Sequence, residues 1–219
     1  MVSRKIWAPL VLIRQKTKMI TLLTSNTRSS LVNTIVGSGY TLNKPQYIAW
    51  GTGSGTVSAS DIGLFNPIQS PVSGTVSTIT TSTSGDTYLC SAVLTASGAA
   101  SVTNVGLFDT GVTPAVGTLT RQINPNDTTI QVSGYNSFPN TFPFKIQVTS
   151  EVMTVTSGNG TNIYNVIRGT NGSSIVTTII PSLTPVVGPA GYMFLKSSFP
   201  GIGLQSGDSI QFNVSIQFI

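Results

Sequence analysis

Apolar and polar residues alternate along most of this chain, and that period of two is typical of β-strands. The clearest example is the C-terminal segment, where polar residues separate five apolar ones: Ile210, Phe212, Val214, Ile216 and Phe218. Because successive side chains of a strand point to opposite faces, the five should share one face. We expect this strand to be integral to a sheet, with its apolar side chains buried.

A second pair of segments predicts a hairpin. Residues 72–83 and 87–95 have strand composition, and the turn-forming sequence Ser84-Gly85-Asp86 lies between them. In the second segment one face carries only apolar or weakly polar side chains: Tyr88, Cys90, Ala92 and Leu94. We expect this face to point into a core, with Cys90, the single cysteine, as a buried residue that forms no intrachain disulfide.

Helical spacing of apolar residues occurs in one place, over residues 22–36. Ser25 or Asn26 is the expected N-cap, and Gly37 and Gly39 end the segment. The remainder of the chain is predicted to be strands and turns.

The segment between about 118 and 190 has several short predicted strands, turn signals between them and no helical pattern. This composition predicts a small β-barrel or sandwich of its own. The predicted fold is therefore all-β: an antiparallel, jelly-roll-like β-sandwich formed by residues 19–117 and 190–219, with an inserted small β domain at 118–189. Residues 1–18 are expected to be an extended N-terminal arm.

The charge distribution separates the arm from the body. Only 8% of the residues are charged, against about 25% in typical soluble domains, so Ser, Thr, Asn and Gln must cover much of the surface. The formal net charge of +5 comes from five bases in the first eighteen residues: Arg4, Lys5, Arg14, Lys16 and Lys18. The other six bases balance the six acids. A nucleic-acid-binding face is therefore not expected in the body, and only the arm has the charge for it.

Between its basic residues the arm carries an apolar run, residues 6–13. The run is much shorter than the roughly 20 residues of a membrane span, contains Pro9 and lacks a cleavage pattern, so neither a span nor a signal peptide is predicted. We expect the arm to anchor the protein to a neighbouring chain, through Arg4, Lys5, Ile6, Trp7, Leu10, Leu12 and Arg14. Met19 is an alternative start that would remove this arm.

The sequence has no histidine, which excludes Ser-His and Cys-His nucleophile pairs and histidine metal sites. Each of the six acids is interpreted as a turn or capping residue, not as part of a catalytic pair. The Gly-Thr-Gly-Ser-Gly sequence at 51–55 lacks the glycine spacing of a dinucleotide site and is interpreted as a flexible loop. We therefore expect no enzyme activity, with no catalytic, cofactor-binding or metal-ligating residues.

Three segments together resemble a β module of tailed bacteriophages. The first is Tyr-Ile-Ala-Trp-Gly-Thr-Gly at 47–53, followed by Val-Ser-Ala-Ser-Asp at 57–61. The second is Asn-Val-Gly-Leu-Phe-Asp at 104–109, and the third runs from Met-Phe-Leu-Lys at 193–196 to the final alternating strand. The resemblance covers about residues 31–117 and 190–219. The related Asp-Ile-Gly-Leu-Phe sequence at 61–65 is interpreted as a second, equivalent strand end with a packing role.

The intervening residues resemble a second phage β module. The similarity lies in Asp-Thr-Thr-Ile at 127–130, Pro-Phe-Lys-Ile at 143–146, Glu-Val-Met-Thr-Val at 151–155 and Val-Ile-Arg-Gly-Thr-Asn-Gly at 166–172. This chain departs from that module because it lacks the histidine that often follows the last motif.

The resemblance implies a non-enzymatic structural component of a tailed-phage virion, on the capsid or tail surface. The leading hypothesis is an oligomeric, trimeric capsid-decoration or fibre-type protein whose partners are its own copies and other virion proteins, with no membrane. The alternative is a glycan-binding or host-surface-binding module of a tail fibre or baseplate. A hydrolase is a third, remote reading. Head, neck and tail locations are all open.

Overall fold

A computed structural model describes residues 20–37, 43–189 and 191–217 of the chain. The arm, including all seven residues predicted to anchor it, lies outside the described residues, as does Phe218. The described part is all-β, with antiparallel sheets and a sandwich-like arrangement, as the alternating pattern predicted. The described residues form fourteen strands, numbered along the chain, in three sheets.

The largest unit outside the 118–189 range is a five-stranded antiparallel sheet in the order β1-β13-β6-β2-β3. Its strands are β1 (Ile20–Leu23), β2 (Tyr47–Gly51), β3 (Val72–Ser73), β6 (Ala100–Phe108) and β13 (Met193–Leu204). Strand β13 pairs with β6 along most of its length, with irregularities near its start and between Ser198 and Ile202. The long separation in sequence between β6 and β13 means that residues far apart in the chain position one another.

A second sheet has three strands in the order β14-β5-β4. These are β4 (Thr75–Ile79), β5 (Thr87–Thr95) and β14 (Ser209–Gln217). The predicted hairpin is present: β4 and β5 pair antiparallel across a turn in which Gly85 has a φ of 72°. In that turn the Asp86 carboxylate accepts hydrogen bonds from the backbone N–H groups of Thr83, Thr81 and Ser82, and these bonds hold its pKa well below the usual range.

The two sheets share one apolar core, in which Trp50 and Cys90 are fully buried. Burial raises the pKa of the Cys90 thiol. The predicted core face of β5 is confirmed, since Ala92 and Leu94 are buried with Cys90, and Tyr88 is half-buried.

The C-terminal strand is confirmed, but its predicted burial is wrong. The apolar side chains of β14 that the structure describes are half-buried and none is fully covered: Ile210, Phe212, Val214 and Ile216. These side chains are only half-buried because β14 is an edge strand of the three-stranded sheet, where only part of its inner face is covered.

The third sheet contains all the strands between residues 116 and 187, in the order β7-β12-β9-β10-β11-β8. They are β7 (Val116–Thr118), β8 (Thr129–Gln131), β9 (Phe144–Val148), β10 (Glu151–Gly158), β11 (Ile163–Ile167) and β12 (Pro185–Val187), with a 3₁₀ turn at Tyr135–Ser137. The sheet encloses its own apolar core, where Tyr135 stacks on the buried Tyr164 at a centroid distance of 4.5 Å. We call residues 118–189 the insert.

The predicted helix is present as α1 (Ser25–Ile35), but the prediction of its cap was wrong by a residue or more. Thr24 is the N-cap, and its hydroxyl accepts the backbone N–H of Thr27 while donating to the carbonyl of Met193. This cap therefore also fixes α1 against β13.

Candidate functional site

The five-stranded and three-stranded sheets together are called the main sandwich, and a fully buried ion pair lies where it meets the insert. The Lys196 ammonium on β13 is 3.0 Å from Asp61 Oδ2, and neither side chain is exposed to solvent. The ammonium also donates to the carbonyl of Gly63 at 2.9 Å and sits 3.1 Å from the centre of the Phe65 ring. Burial lowers the Lys196 pKa to about 8, although the nearby Asp61 carboxylate opposes this shift.

A short turn presents Asp61 to Lys196. The Asp61 N–H donates to the Ser58 carbonyl at 3.1 Å, and the Ser58 N–H donates back to Asp61 Oδ2 at 3.0 Å. The aspartate thus closes its own turn, as expected for acids in this chain, and additionally neutralises a buried cation.

The insert reaches this pair through Gln147 on β9, which is itself buried. Gln147 Nε2 donates to Asp61 Oδ1 at 2.7 Å, and its Oε1 accepts the backbone N–H groups of Ile62 and Gly63 at 3.0 and 3.2 Å. We call Asp61, Gln147 and Lys196 the junction. A second contact between the same two parts is the bond from Asn171 Nδ2 to the Ser60 carbonyl, 2.8 Å long.

Beside the junction, the Gly-Thr-Gly loop packs directly on Phe65. A Cβ atom placed on Gly51 would lie 2.3 Å from the Phe65 carbonyl oxygen, and one on Gly53 would lie 2.8 Å from the Phe65 carbonyl carbon. The Gly53 N–H donates to the Phe65 carbonyl at 3.0 Å. The interpretation of this segment as a flexible loop was wrong, because its glycines permit close backbone packing.

Asn104 on β6 bonds to the backbone of both Gly53 and Phe65. Its Oδ1 accepts the Phe65 N–H at 3.1 Å, and its Nδ2 donates to the carbonyls of Gly53 and Phe65, each at 3.2 Å. The sequence 61–65 is an irregular segment and not a strand end equivalent to 104–108. The related sequences 61–65 and 104–108 therefore differ in structure, and they contact each other through Asn104 and Phe65.

The three side chains of the junction are buried and bonded to one another or to nearby backbone. A lysine with a lowered pKa is a possible nucleophile in some enzymes, but here the ammonium is fully buried and bonded on several sides. Every polar atom of the Gln147 amide and of the Asp61 carboxylate has a described partner. The arrangement joins the two parts of the chain through buried hydrogen bonds.

A second buried ion pair stabilises the insert. Arg168 donates to both oxygens of the fully buried Glu151, at 2.6 and 2.7 Å. The same carboxylate accepts the N–H groups of Gly169 and Val176, both at 3.0 Å. Asp61 and Glu151 are thus buried ion-pair members, which the interpretation of every acid as a turn or capping residue did not foresee.

The insert also carries a polar surface cleft of about 460 Å³. Its lining consists of hydroxyl, amide, carboxylate and guanidinium side chains: Thr120, Arg121, Gln122, Asn124, Asp127 and Ser182. Asp127 Oδ2 accepts the Asn124 N–H at 2.8 Å, so the acid shapes the turn beside the cleft.

Within residues 20–37, 43–189 and 191–217 there is no group of three or more Cys, Asp or Glu placed to hold a metal. Within the same ranges, no helix is long enough and apolar enough to span a membrane.

Sequence reasoning missed the roles of Lys196, Gln147 and Asn104, although two of them lie in the resembling segments. The available signal for Lys196 was a lone base directly after Met193-Phe194-Leu195, all of which are buried. Gln147 had no such signal, because its partners are more than 80 residues away in the chain.

Comparison of the chain with protein-family models, with curated proteins and with solved structures finds no match.

Proposed function

We propose that this chain is a non-enzymatic structural component of a tailed-phage virion. In this proposal it is a capsid-decoration or fibre-type protein on the capsid or tail surface, and it forms oligomers, most simply trimers. The arm at residues 1–18 anchors it to a neighbouring protein. Its partners are copies of itself and other virion proteins.

The observation that carries the proposal is the meeting of the three resembling segments in one place. The first contributes Asp61, the second Asn104 and the third Lys196, and these side chains bond to one another or to the same short stretch of backbone at 63–65. The residues that define the resemblance therefore serve the architecture of the fold. This is the expected use of such residues in a building block, and it leaves no reacting group exposed at the junction.

The charge distribution supports assembly. Interfaces between subunits disfavour buried, unpaired charges, and 8% charged residues is a low content for any protein surface. A neutral body rich in Ser and Thr can be packed against neighbours at small electrostatic cost.

The arm is tested by deleting residues 2–18 and producing phage particles that carry only this variant. We expect the deleted protein to fold, as judged by a cooperative thermal transition and an unchanged β-type circular dichroism spectrum. We also expect it to be missing from purified particles. A matched variant with Arg4, Lys5, Arg14, Lys16 and Lys18 changed to Gln separates the contribution of charge from that of the apolar run. Normal incorporation of the deleted protein would rule out anchoring by the arm.

A second candidate function is glycan or host-surface binding by the insert, and the polar cleft favours it. Its side chains can donate to and accept from sugar hydroxyl groups, and Arg121 is exposed at its edge. A glycan array probed with the full chain and with an Arg121→Ala/Gln122→Ala variant tests this function. Binding that the variant loses supports it, and an array without signal favours a purely structural role.

A further inference from the structure

Among the described strands, β14 lies at the edge of its sheet. Its nine residues pair with β5 on one side, from Ser209 opposite Thr95 to Gln217 opposite Thr87. No described strand pairs with its other side. A row of backbone N–H and C=O groups of this kind is a template for another strand.

The same strand lacks the usual protections of an edge. Natural edges are blunted by charged side chains, by proline or by being short, whereas residues 209–219 include no charged residue and no proline. The apolar side chains from Ile210 to Ile216 on its inner face are half-buried, so they remain partly in contact with water. By contrast, the opposite edge strand of this sheet, β4, has five residues and only two apolar side chains, Val76 and Ile79.

Acidic residues mark both ends of this edge. Asp208 immediately precedes β14 and is exposed. At the far end, Gln217 Nε2 donates to Asp86 Oδ2 at 3.3 Å, which places the Asp86 carboxylate beside the last described residue. The edge is therefore a neutral, partly apolar strand between two negative charges.

The N-terminal arm has the complementary sequence. Its eight apolar residues, 6–13, follow Arg4-Lys5 and precede Arg14. As a strand, eight residues extend about 26 Å, close to the length of the nine-residue edge. Pro9 is compatible with this placement, because proline is tolerated on an added edge strand whose N–H side faces solvent.

We propose that residues 6–13 of one copy add as an antiparallel strand to the β14 edge of a neighbouring copy. This inference rests on the proposed function, and it names the surface that receives the arm. Alternate residues Ile6, Ala8, Leu10 and Leu12 then cover the half-buried face of β14. Arg14 lies near Asp208 of the neighbour, and Lys5 lies near its Asp86.

The direction of β1 favours a neighbouring copy over the same chain. Ile20 pairs with Ser198, and Leu23 with Leu195, so the N-terminal end of β1 faces the half of β13 that leads to the start of β14. To cover its own β14 from there, the chain would have to reverse direction within residues 14–19. That linker is Arg-Gln-Lys-Thr-Lys-Met, which has none of the residues that favour turns, and its three like charges favour extension.

Disulfide trapping in the full chain tests the pairing. In a Cys90→Ala background, Val11→Cys is combined with Gln211→Cys, which lies directly opposite on the outer face of the proposed pair when Arg14 is opposite Asp208. We expect oxidation to give covalent dimers and larger species on a non-reducing gel. The matched control combines Val11→Cys with Ser77→Cys on β4 and should remain monomeric. An intrachain disulfide in the test variant, or no disulfide at all, overturns the proposal.

Hydrogen exchange gives an independent readout that does not depend on engineered cysteines. Leu10→Asp/Leu12→Asp should increase amide exchange within 209–217, while Ser3→Asp should leave it unchanged; equal exchange in both variants contradicts the pairing. If the pairing fails these tests while deletion of residues 2–18 still abolishes incorporation into particles, the anchoring role stands and only its docking surface is wrong.

Discussion

Lys196 and Asp61 form an ion pair 3.0 Å long with no solvent exposure on either side chain, although the two residues are 135 positions apart in the chain. Removing two charges from water is costly, and such a pair is tolerated where further bonds satisfy both groups. Here Gly63, Ser58 and Gln147 supply those bonds. The pair therefore fixes how the chain before the insert, the chain after it and the insert itself meet.

Loss of one member of the pair should be more damaging than loss of both. Lys196→Met leaves the Asp61 carboxylate buried without its cation, and we expect the free energy of unfolding to fall by about 3–5 kcal/mol. The double variant Lys196→Met/Asp61→Asn removes both charges and keeps an oxygen that can accept the Ser58 N–H, so it should recover a large part of that loss. Urea unfolding measures both values. A double variant less stable than Lys196→Met would contradict this account.

The lowered Lys196 pKa predicts a pH dependence of stability. The folded-state pKa is about 8 and the ordinary value is 10.5, so between these values the unfolded chain binds more protons than the folded chain. The contribution of Lys196 to the free energy of unfolding should therefore be lowest below about pH 8 and should rise towards pH 10.5. Subtracting the curve of Lys196→Met isolates it, because Cys90, Tyr88 and other groups that titrate at high pH are common to both proteins. A difference curve that is flat from pH 7 to 10.5 would exclude this shift.

Gln147 should couple the insert to the main sandwich. Gln147→Leu keeps the size of the side chain but leaves Asp61 Oδ1 and the N–H groups of Ile62 and Gly63 without their partner. Each unsatisfied buried group costs about 1–3 kcal/mol, so we expect lower stability and separate thermal transitions for the two parts. Calorimetry of this variant and of the control Gln131→Leu, at a half-buried position on β8, measures the effect. A single unchanged transition would show that Gln147 is not a coupling residue.

Gly53 should be required for the packing of the Gly-Thr-Gly loop on Phe65. Gly53→Ala places a Cβ 2.8 Å from the Phe65 carbonyl carbon, and we expect the free energy of unfolding to fall by about 1–3 kcal/mol. Gly203→Ala is the matched control, since nothing lies within 4 Å of a Cβ there. Equal stability of the two variants in chemical denaturation would restore the interpretation of 51–55 as a flexible loop.

The strands could be predicted from the sequence because their signals are local. The β4–β5 hairpin, the core face of β5 and the strand at 210–217 follow from alternation and from the Ser84-Gly85-Asp86 turn. Burial was less predictable, since the amphipathic pattern of β14 is the same for a central strand as for an edge strand. The degree of burial depends on the neighbouring sheet, which the pattern does not contain.

The junction could not be predicted for a related reason. Its bonds join residues 61, 147 and 196, and no period or motif spacing connects positions so far apart. A charged residue next to an apolar run, as at Lys196, indicates that its side chain needs a partner of opposite charge if it is buried. Which residue becomes that partner depends on the pairing of β13 with β6 and on the packing of the insert. Asp61, Asn104 and Lys196 lie in three separate motifs, and no motif contains the bonds that these side chains make.

The central claim is that the chain is a structural part of a phage particle. Quantitative mass spectrometry of purified particles, with heads and tails separated, tests it most directly. The account predicts that the protein is recovered in several copies per particle, in either the head or the tail fraction. Its absence from purified particles, with the protein recovered only from the cleared lysate, would contradict the claim.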